Sequence, residues 1–487
     1  MNTDLQKLVT LRYKYHKNIS NKQISNNYFQ IPFLMRYLKF ISLSALLTCF
    51  SGISFVQSQP KNIPEVNTRD PYLWPFAATS IWNMPIGSNA NYVPANLEMP
   101  TAKMLTLDED LIVFTPDVPS MNIYWCTAFW DKTKDRCTAD QPLKLQGSVP
   151  IPQSFVVSPT TWDGTTPNAG IAVLLKDKHT IWQSQPFAHC SNGSDATTGY
   201  VYTDNQDLYG DGYYGSHGGS RLSVLGGSIR VNELTPTSGP IRHAIKMNLC
   251  GSKNFYYDAI NKGYRWPALA ADAGASTSYG SLRTTPAQPE CRMGALMAIP
   301  ATVSIASMGL ESDPGKILAQ VLQDYGGYVV DGTGWDVFAI ETEWGTNGRF
   351  RDEFKKNWGY DFVLSVSQSI STTWGRDIAK IYKALNIVTN NTASTIGGGG
   401  TPRQVLAPAF TSTAITEINN DSAPKFVIPV AGGFKMIESG NIQIYSVLGH
   451  LIKSENVKFD HEINLKQGTY ILCFQNQNGM KIQKIII

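Results

Sequence analysis

The chain has 487 residues, with 41 Lys and Arg against 38 Asp and Glu, a formal net charge of +3 and 16% charged residues. That balance offers no positive field for nucleic acid or an anionic membrane surface. Glycine (40), proline (27), tyrosine (22) and tryptophan (11) make the composition of a turn-rich β-protein with many aromatics.

At the amino end, Arg36, Tyr37, Leu38 and Lys39 precede an uncharged apolar run from Phe40 to Val56. Seventeen residues are short for a membrane span and have the form of a signal-peptide hydrophobic region. Val56 and Ser58 stand at the minus-three and minus-one positions of a cleavage before Gln59, so residues 1–58 read as leader and signal peptide. The polar stretch from Met1 to Pro32 is long for such a leader, and Met35 is the expected start. Cys49 follows Leu46-Leu47-Thr48, but Thr is a poor residue before a lipidated cysteine.

Residues 59–390 form the expected central secreted β-rich module, long enough to bury a sizeable core. Among its cysteines, spacing favours Cys126 with Cys137 and Cys250 with Cys291, a disulfide usage that suits an oxidising destination. No Cys-x-x-Cys pair suggests zinc. Ile171 to Leu175 and Thr180 to Gln183 flank the turn Lys176-Asp177-Lys178-His179, a hairpin signal. The loop from Asp204 to Ser220 holds glycines, tyrosines and the aspartates Asp204, Asp207 and Asp211. It suits sugar hydroxyls or a calcium ion, the one cofactor the sequence suggests, and it contains His217 as a candidate substrate-binding residue.

Ser228 to Leu234 and Ile241 to Leu249 read as a second hairpin. Alternation then puts Glu233 and His243 on the apolar face, as a structural brace or part of a site, and leaves Arg230 and Lys246 on the opposite, solvated face. Tyr264, Arg265 and Trp266 form an aromatic and charged loop, followed by Asp272. Ser312 or Asp313 caps a helix that begins at Pro314, carries Ile317, Leu318, Val321, Leu322 and Tyr325 on one face, and stops at Gly326. Strands follow at Tyr328 to Val330, closed by Asp331, and at Trp335 to Ile340, with Glu341 and Glu343 on one face beyond it. A second helix is expected over Arg376 to Leu385.

The fold expected is mainly β: a large β-sandwich or jelly-roll-like module with a few helices, then a small β-sandwich. Any two of Glu233, Asp272, Asp331, Glu341 and Glu343 could supply the acid and base of a glycosidase, which needs two carboxyl groups roughly 5 to 10 Å apart. Tyr264, His243 and Arg265 would alternatively serve a polysaccharide lyase. Glu233, His243, Asp272 and Asp331 are thus the candidate catalytic residues, and His217, Tyr264, Arg265 and Trp266 the candidate substrate contacts. No His-x-x-x-His, Gly-x-Ser-x-Gly or phosphate loop occurs.

Residues 391–425, with four consecutive glycines from Gly397 to Gly400, read as a flexible linker. From 426 to 487 short alternating segments recur: Ile444 to Ile452, Leu465, Gly468-Thr469-Tyr470-Ile471-Leu472, and Lys481 to Ile487. This meander, with Leu-x-x-Gly-x-Tyr and a Lys-rich last strand, resembles the type A C-terminal sorting domain of the type IX secretion system of Bacteroidota. The resemblance implies passage through the periplasm to the cell surface or medium, with the secretion machinery as partner. The central module, from Trp74-Pro75-Phe76 through His217-Gly218-Gly219-Ser220 and Arg242-His243-Ala244 to Asp324-Tyr325-Gly326, looks like a group of secreted bacterial proteins. That likeness implies one contiguous module and brings no mechanism. Two functions remain: a secreted glycoside hydrolase or polysaccharide lyase acting on extracellular polysaccharide, or a non-catalytic surface adhesin or glycan-binding protein.

Overall fold

A computed structural model describes residues 68–410, apart from 132 and 158–167, and 426–486, apart from 431, 447–450, 467–468 and 478. The leader, the signal-peptide region, Cys49 and the second half of the expected linker lie outside the described residues.

The protein is mainly β, as its composition suggests. Apart from Thr68–Arg69, the described strands of the central module join in a 14-stranded mixed sheet. Its middle is built from strands distant in sequence. Ile245–Leu249 runs parallel to Gly327–Gly332 and antiparallel to Val337–Gly345, which is parallel to Lys103–Val113, itself parallel to Ile171–Leu174. The hairpin of Ile171–Leu174 with Thr180–Ala188 forms as expected. All four residues of the first strand are buried, as a continuous apolar run in a covered sheet should be.

The two helices also form close to their expected bounds. Asp313–Asp324 is capped by the Ser312 hydroxyl, which accepts from Gly315 N, and Pro314 occupies the first turn. Thr373–Ala384 begins three residues earlier than its apolar period suggests, because the Thr372 side chain accepts from Gly375 N and extends the helix by most of a turn. Its Tyr382 ring packs on Phe338 at 5.1 Å. On this side of the sheet Leu105, Leu107, Met247, Leu249, Phe338 and Ile340 join one large core with both helices.

Three expectations are corrected. Residues 228–249 are not a hairpin: 228–234 is a turn-rich segment touching Val337–Gly345 through Ile229, and Ile245–Leu249 finds its partners elsewhere. The disulfide joins Cys137 to Cys190, while Cys126, Cys250 and Cys291 remain buried thiols. Cys137 follows Ser120–Trp125 and Cys190 follows Thr180–Ala188, strands that both flank Ala196–Val201. Tertiary adjacency, invisible to spacing, selects that pair. Finally, the glycines of the expected linker are folded onto the module. Gly397 to Gly400 all adopt positive φ, and Gly397 O and Gly399 O accept from Gly87 N and Asn89 N. A Cβ on Gly397 or Gly398 would strike Pro85 O at 2.5 Å or Ala90 Cα at 2.6 Å, so the run is needed for close packing as well as for left-handed backbone. Further along, Ala409–Phe410 pairs with Thr68–Arg69.

Residues 426–486 form a three-stranded and a four-stranded sheet around one core that includes Phe426, Phe434, Ile442, Ile444, Leu472 and Phe474. This is the small sandwich expected at the carboxyl end.

Candidate active site

Opposite the helix-covered face, the central strands carry a row of polar side chains. Lys103–Val113 contributes Asp108 and Asp110, paired in register with Glu341 and Glu343 of Val337–Gly345. Ile245–Leu249 adds Lys246 and Asn248. The fourth contributor depends on an irregularity. A register shift between Met247 and Asn248 sets Asn248 beside Asp331; an unbroken ladder would set Asp331 beside Leu249, on the apolar face. The loop that closes over this row is pinned by Gln183, whose Oε1 accepts from Val224 N at 2.7 Å.

The contacts are dense. Asn168 Nδ2 donates to Asp108 Oδ2 at 2.5 Å and to Asp331 Oδ2 at 3.1 Å. Asn248 Nδ2 donates to Glu341 Oε1 at 2.5 Å and to Asp108 at 3.3 Å. Lys246 Nζ, fully buried, donates to Asp110 Oδ2 at 2.8 Å and to the Ser223 and Val224 carbonyls at 3.1 and 2.7 Å. Its three N–H donors are thereby used. His217 is 1% exposed, with Nε2 3.2 Å from Glu341 Oε1 and 3.8 Å from Asp110 Oδ1. Asp331 accepts from Gly219 N at 3.3 Å and from Gly332 N at 2.8 Å, and its carboxyl is hydrogen-bonded to that of Asp272. Asp272 in turn accepts from Tyr279 OH at 2.8 Å.

Five carboxyls (Asp108, Asp110, Asp272, Asp331 and Glu341) thus meet one lysine and one histidine. Burial lowers the His217 pKa, with Lys246 adding to the effect, so the imidazole is neutral. Burial also pushes the carboxyls of Asp331, Asp108 and Glu341 well above the usual range, reinforced by Asp272, Glu341 and Asp110 respectively. Protons must be held within the set. The neutral carboxyls contribute stability that is complete below their unfolded values, near about 4, and that is lost as pH rises through their raised folded values. The difference in melting temperature between pH 5 and pH 8 is therefore expected to be smaller in Asp331→Asn than in the wild type, read by calorimetry.

The glycines of His217-Gly218-Gly219-Ser220 serve close approach. A Cβ on Gly218 would sit 2.1 Å from Asp331 Oδ2, and one on Gly219 2.3 Å from Asp272 Oδ1. Gly218→Ala is expected to lower stability by about 1–3 kcal/mol in denaturant titration, the usual cost of an overpacked site.

Asp110, His217 and Glu341 are, among the described residues, the group able to hold a metal ion, with ligand atoms all within 4.8 Å of one another. The Lys246 ammonium already provides a positive charge there. Asp204, Asp207 and Asp211 make no such group: Asp207 pairs with His179 at 3.0 Å, and Asp211 accepts from Tyr213 N.

Of the residues expected from sequence, the structure brings Asp272, Asp331 and His217 together, with Glu341. Glu233 and His243 do meet, at 2.9 Å, through a turn rather than a hairpin. The pair's attraction outweighs desolvation, raising the His243 pKa and lowering that of Glu233. Both ring nitrogens are engaged, since Nδ1 lies 3.0 Å from Ala244 O. Such a pair braces the fold. Arg265 is held by Glu290 and the Thr389 carbonyl, Tyr264 bridges to Met293, and Trp266 packs edge-on against Tyr213. Lys246 and Arg230 are buried, not on a solvated face. Sequence reasoning passed over Asp108, Asp110, Asn168 and Asn248. The alternation of Asp108 and Asp110 within the apolar stretch Met104 to Val113 was the signal available.

Residues 424–487 match the family model described as a secretion system C-terminal sorting domain. The chain therefore carries the address for the type IX secretion system, whose machinery it engages for export to the cell surface or extracellular space. No curated protein and no solved structure matches the chain.

Proposed function

We propose that the exported module is a glycoside hydrolase acting on extracellular polysaccharide, with Asp331 as general acid and Asp108 as the partner carboxylate. The observation that carries this reading is the shared Asn168 amide. Two carboxyl oxygens at 2.5 and 3.1 Å from one nitrogen lie at most about 5.6 Å apart, closer than the roughly 6.5–9.5 Å of an inverting pair and so on the side of a retaining one.

The roles follow from the surroundings. Asp331 is the more buried of the two and shares its hydrogen bond with Asp272, which favours keeping a proton for delivery to the leaving oxygen. Burial and Glu341 raise the Asp108 carboxyl too, but it is partly exposed and the Asn168 and Asn248 donors oppose that rise, so it is the member of the pair assigned to ionise and attack or steady the sugar carbon. Tyr279 positions Asp272, and the Gly218-Gly219 backbone holds Asp331 in place.

The test is a panel of polysaccharides offered to the purified protein, with new reducing ends measured beside Asp331→Asn and Asp108→Asn. Cleavage by the wild type that both variants lose supports the reading. Binding without cleavage makes the module an adhesin, and an unsaturated, ultraviolet-absorbing product makes it a lyase; either result overturns hydrolysis.

A further inference from the structure

The buried row also gathers three groups that catalysis by Asp108 and Asp331 leaves unused. Asp110 comes from Lys103–Val113, Glu341 from Val337–Gly345 and His217 from the loop that closes over them, and their side chains are 1–2% exposed. His217 Nε2 stands 3.2 Å from Glu341 Oε1 and 3.8 Å from Asp110 Oδ1, and the three ligand atoms lie within 4.8 Å of one another. A zinc ion held tetrahedrally at about 2.0–2.2 Å separates its ligand atoms by roughly 3.3–3.6 Å, between those two distances. An imidazole N–H, in contrast, reaches the first oxygen only at the end of the ordinary hydrogen-bond range and does not reach the second.

The surroundings leave these atoms available. Lys246 and Ser228 both donate to Asp110 Oδ2, at 2.8 and 2.7 Å, which fixes the carboxylate and leaves Oδ1 toward the imidazole. No donor reaches His217 Nδ1, so no neighbour forces the proton onto Nε2, whose lone pair can face a metal. A separate observation also points to an ion. Asn248 is 1% exposed, and its Oδ1 meets no donor although its Nδ2 lies against Glu341 and Asp108. A buried amide oxygen without a partner is costly, and beside three metal ligands it can serve as a fourth. Charge agrees with this. Lys246 answers one of the five carboxyls, and its donors are spent on Asp110 and two carbonyls.

We infer that Asp110 Oδ1, His217 Nε2 and Glu341 Oε1 bind one zinc ion, with Asn248 Oδ1 as the fourth ligand. An imidazole nitrogen with oxygens in a four-coordinate set suits zinc, whereas calcium takes about six to eight oxygens and magnesium an octahedron that keeps several waters, which so buried a site does not offer. With every position filled by protein, the ion is structural and ties the loop carrying His217 to the strands beneath it.

The full purified chain, produced in medium supplied with zinc, manganese and calcium together, is analysed by plasma mass spectrometry and by X-ray absorption at the zinc edge. About one zinc per chain is expected, bound by nitrogen and oxygen alone. Zinc on sulfur, which would place it on the thiols of Cys126, Cys250, Cys291 or Cys473, overturns the site, as does manganese or calcium in its place or no bound metal. Glu341→Gln removes a ligand charge and His217→Gln a ligand nitrogen, and each should lower the zinc content about tenfold or more. A folded variant that keeps its zinc overturns the site; if neither variant folds, the nitrogen and oxygen shell of the wild type decides. Metal content is read without substrate, so the site and the hydrolase fail separately. Zinc without cleavage of any polysaccharide overturns only the hydrolase, and cleavage by a zinc-free protein overturns only the site.

Discussion

Asp331→Asn is expected to lower polysaccharide turnover by about 10³-fold, the scale on which a positioned general acid contributes, while leaving the fold intact. The substitution is nearly isosteric. With its oxygen toward the Gly219 and Gly332 N–H groups the amide keeps the loop's anchor and can donate to Asp272, while its nitrogen faces the Asn168 donor and loses that one hydrogen bond. What the amide cannot do is release a proton to a leaving oxygen. Asp108→Asn should cost about as much for a different reason: it removes the negative charge that faces the sugar, and its amide nitrogen would oppose the Asn168 and Asn248 donors unless it flips. Substrates with activated leaving groups separate the two, because they relieve the need for an acid and should partly rescue Asp331→Asn but not Asp108→Asn. Equal turnover in all three proteins would remove the hydrolase reading.

The second large effect concerns location. A chain ended before Phe426 is expected to be retained in the periplasm, with the medium and surface fractions emptied, as read by fractionation and immunoblotting. The sorting domain has its own core, built from Phe426, Phe434, Ile442, Ile444, Leu472 and Phe474, distinct from the two cores of the module. The shortened chain should therefore keep the melting behaviour of the module while losing its address. Ile444→Asp, which places a charge at a fully buried position of that core, should reproduce the deletion without shortening the chain. Export of the truncated chain at the level of the intact one would contradict it.

Much of the local structure was legible in the sequence. Ser312 and Pro314 announce a helix start, Ile171 to Leu174 a covered strand, and the alternation from Ile444 through Leu472 a small sandwich, because caps and apolar periods are properties of neighbouring residues. Asp272, Asp331 and Glu341 could be named as candidate acids for the same reason: each stands out in its own segment. Their convergence with Asp108 and Asn168 could not be read. The strands that carry them pair across long stretches of chain, and nothing in a local pattern records which distant strand lies alongside.

The sequence by itself determined the export address, the β-rich class, the helices at Asp313–Asp324 and Thr373–Ala384 and the hairpin of Ile171–Leu174 with Thr180–Ala188, all of which rest on patterns only a few residues long. The tertiary structure alone decided the rest. The shift between Met247 and Asn248 turns Asp331 into the polar row instead of the core, and Lys246, one lysine in an alternating strand, becomes a buried counter-charge to Asp110. In both cases the reason is geometric. Side chains of a strand alternate faces at every residue, so a single step of register, set by a partner some eighty positions away, exchanges the inside for the outside.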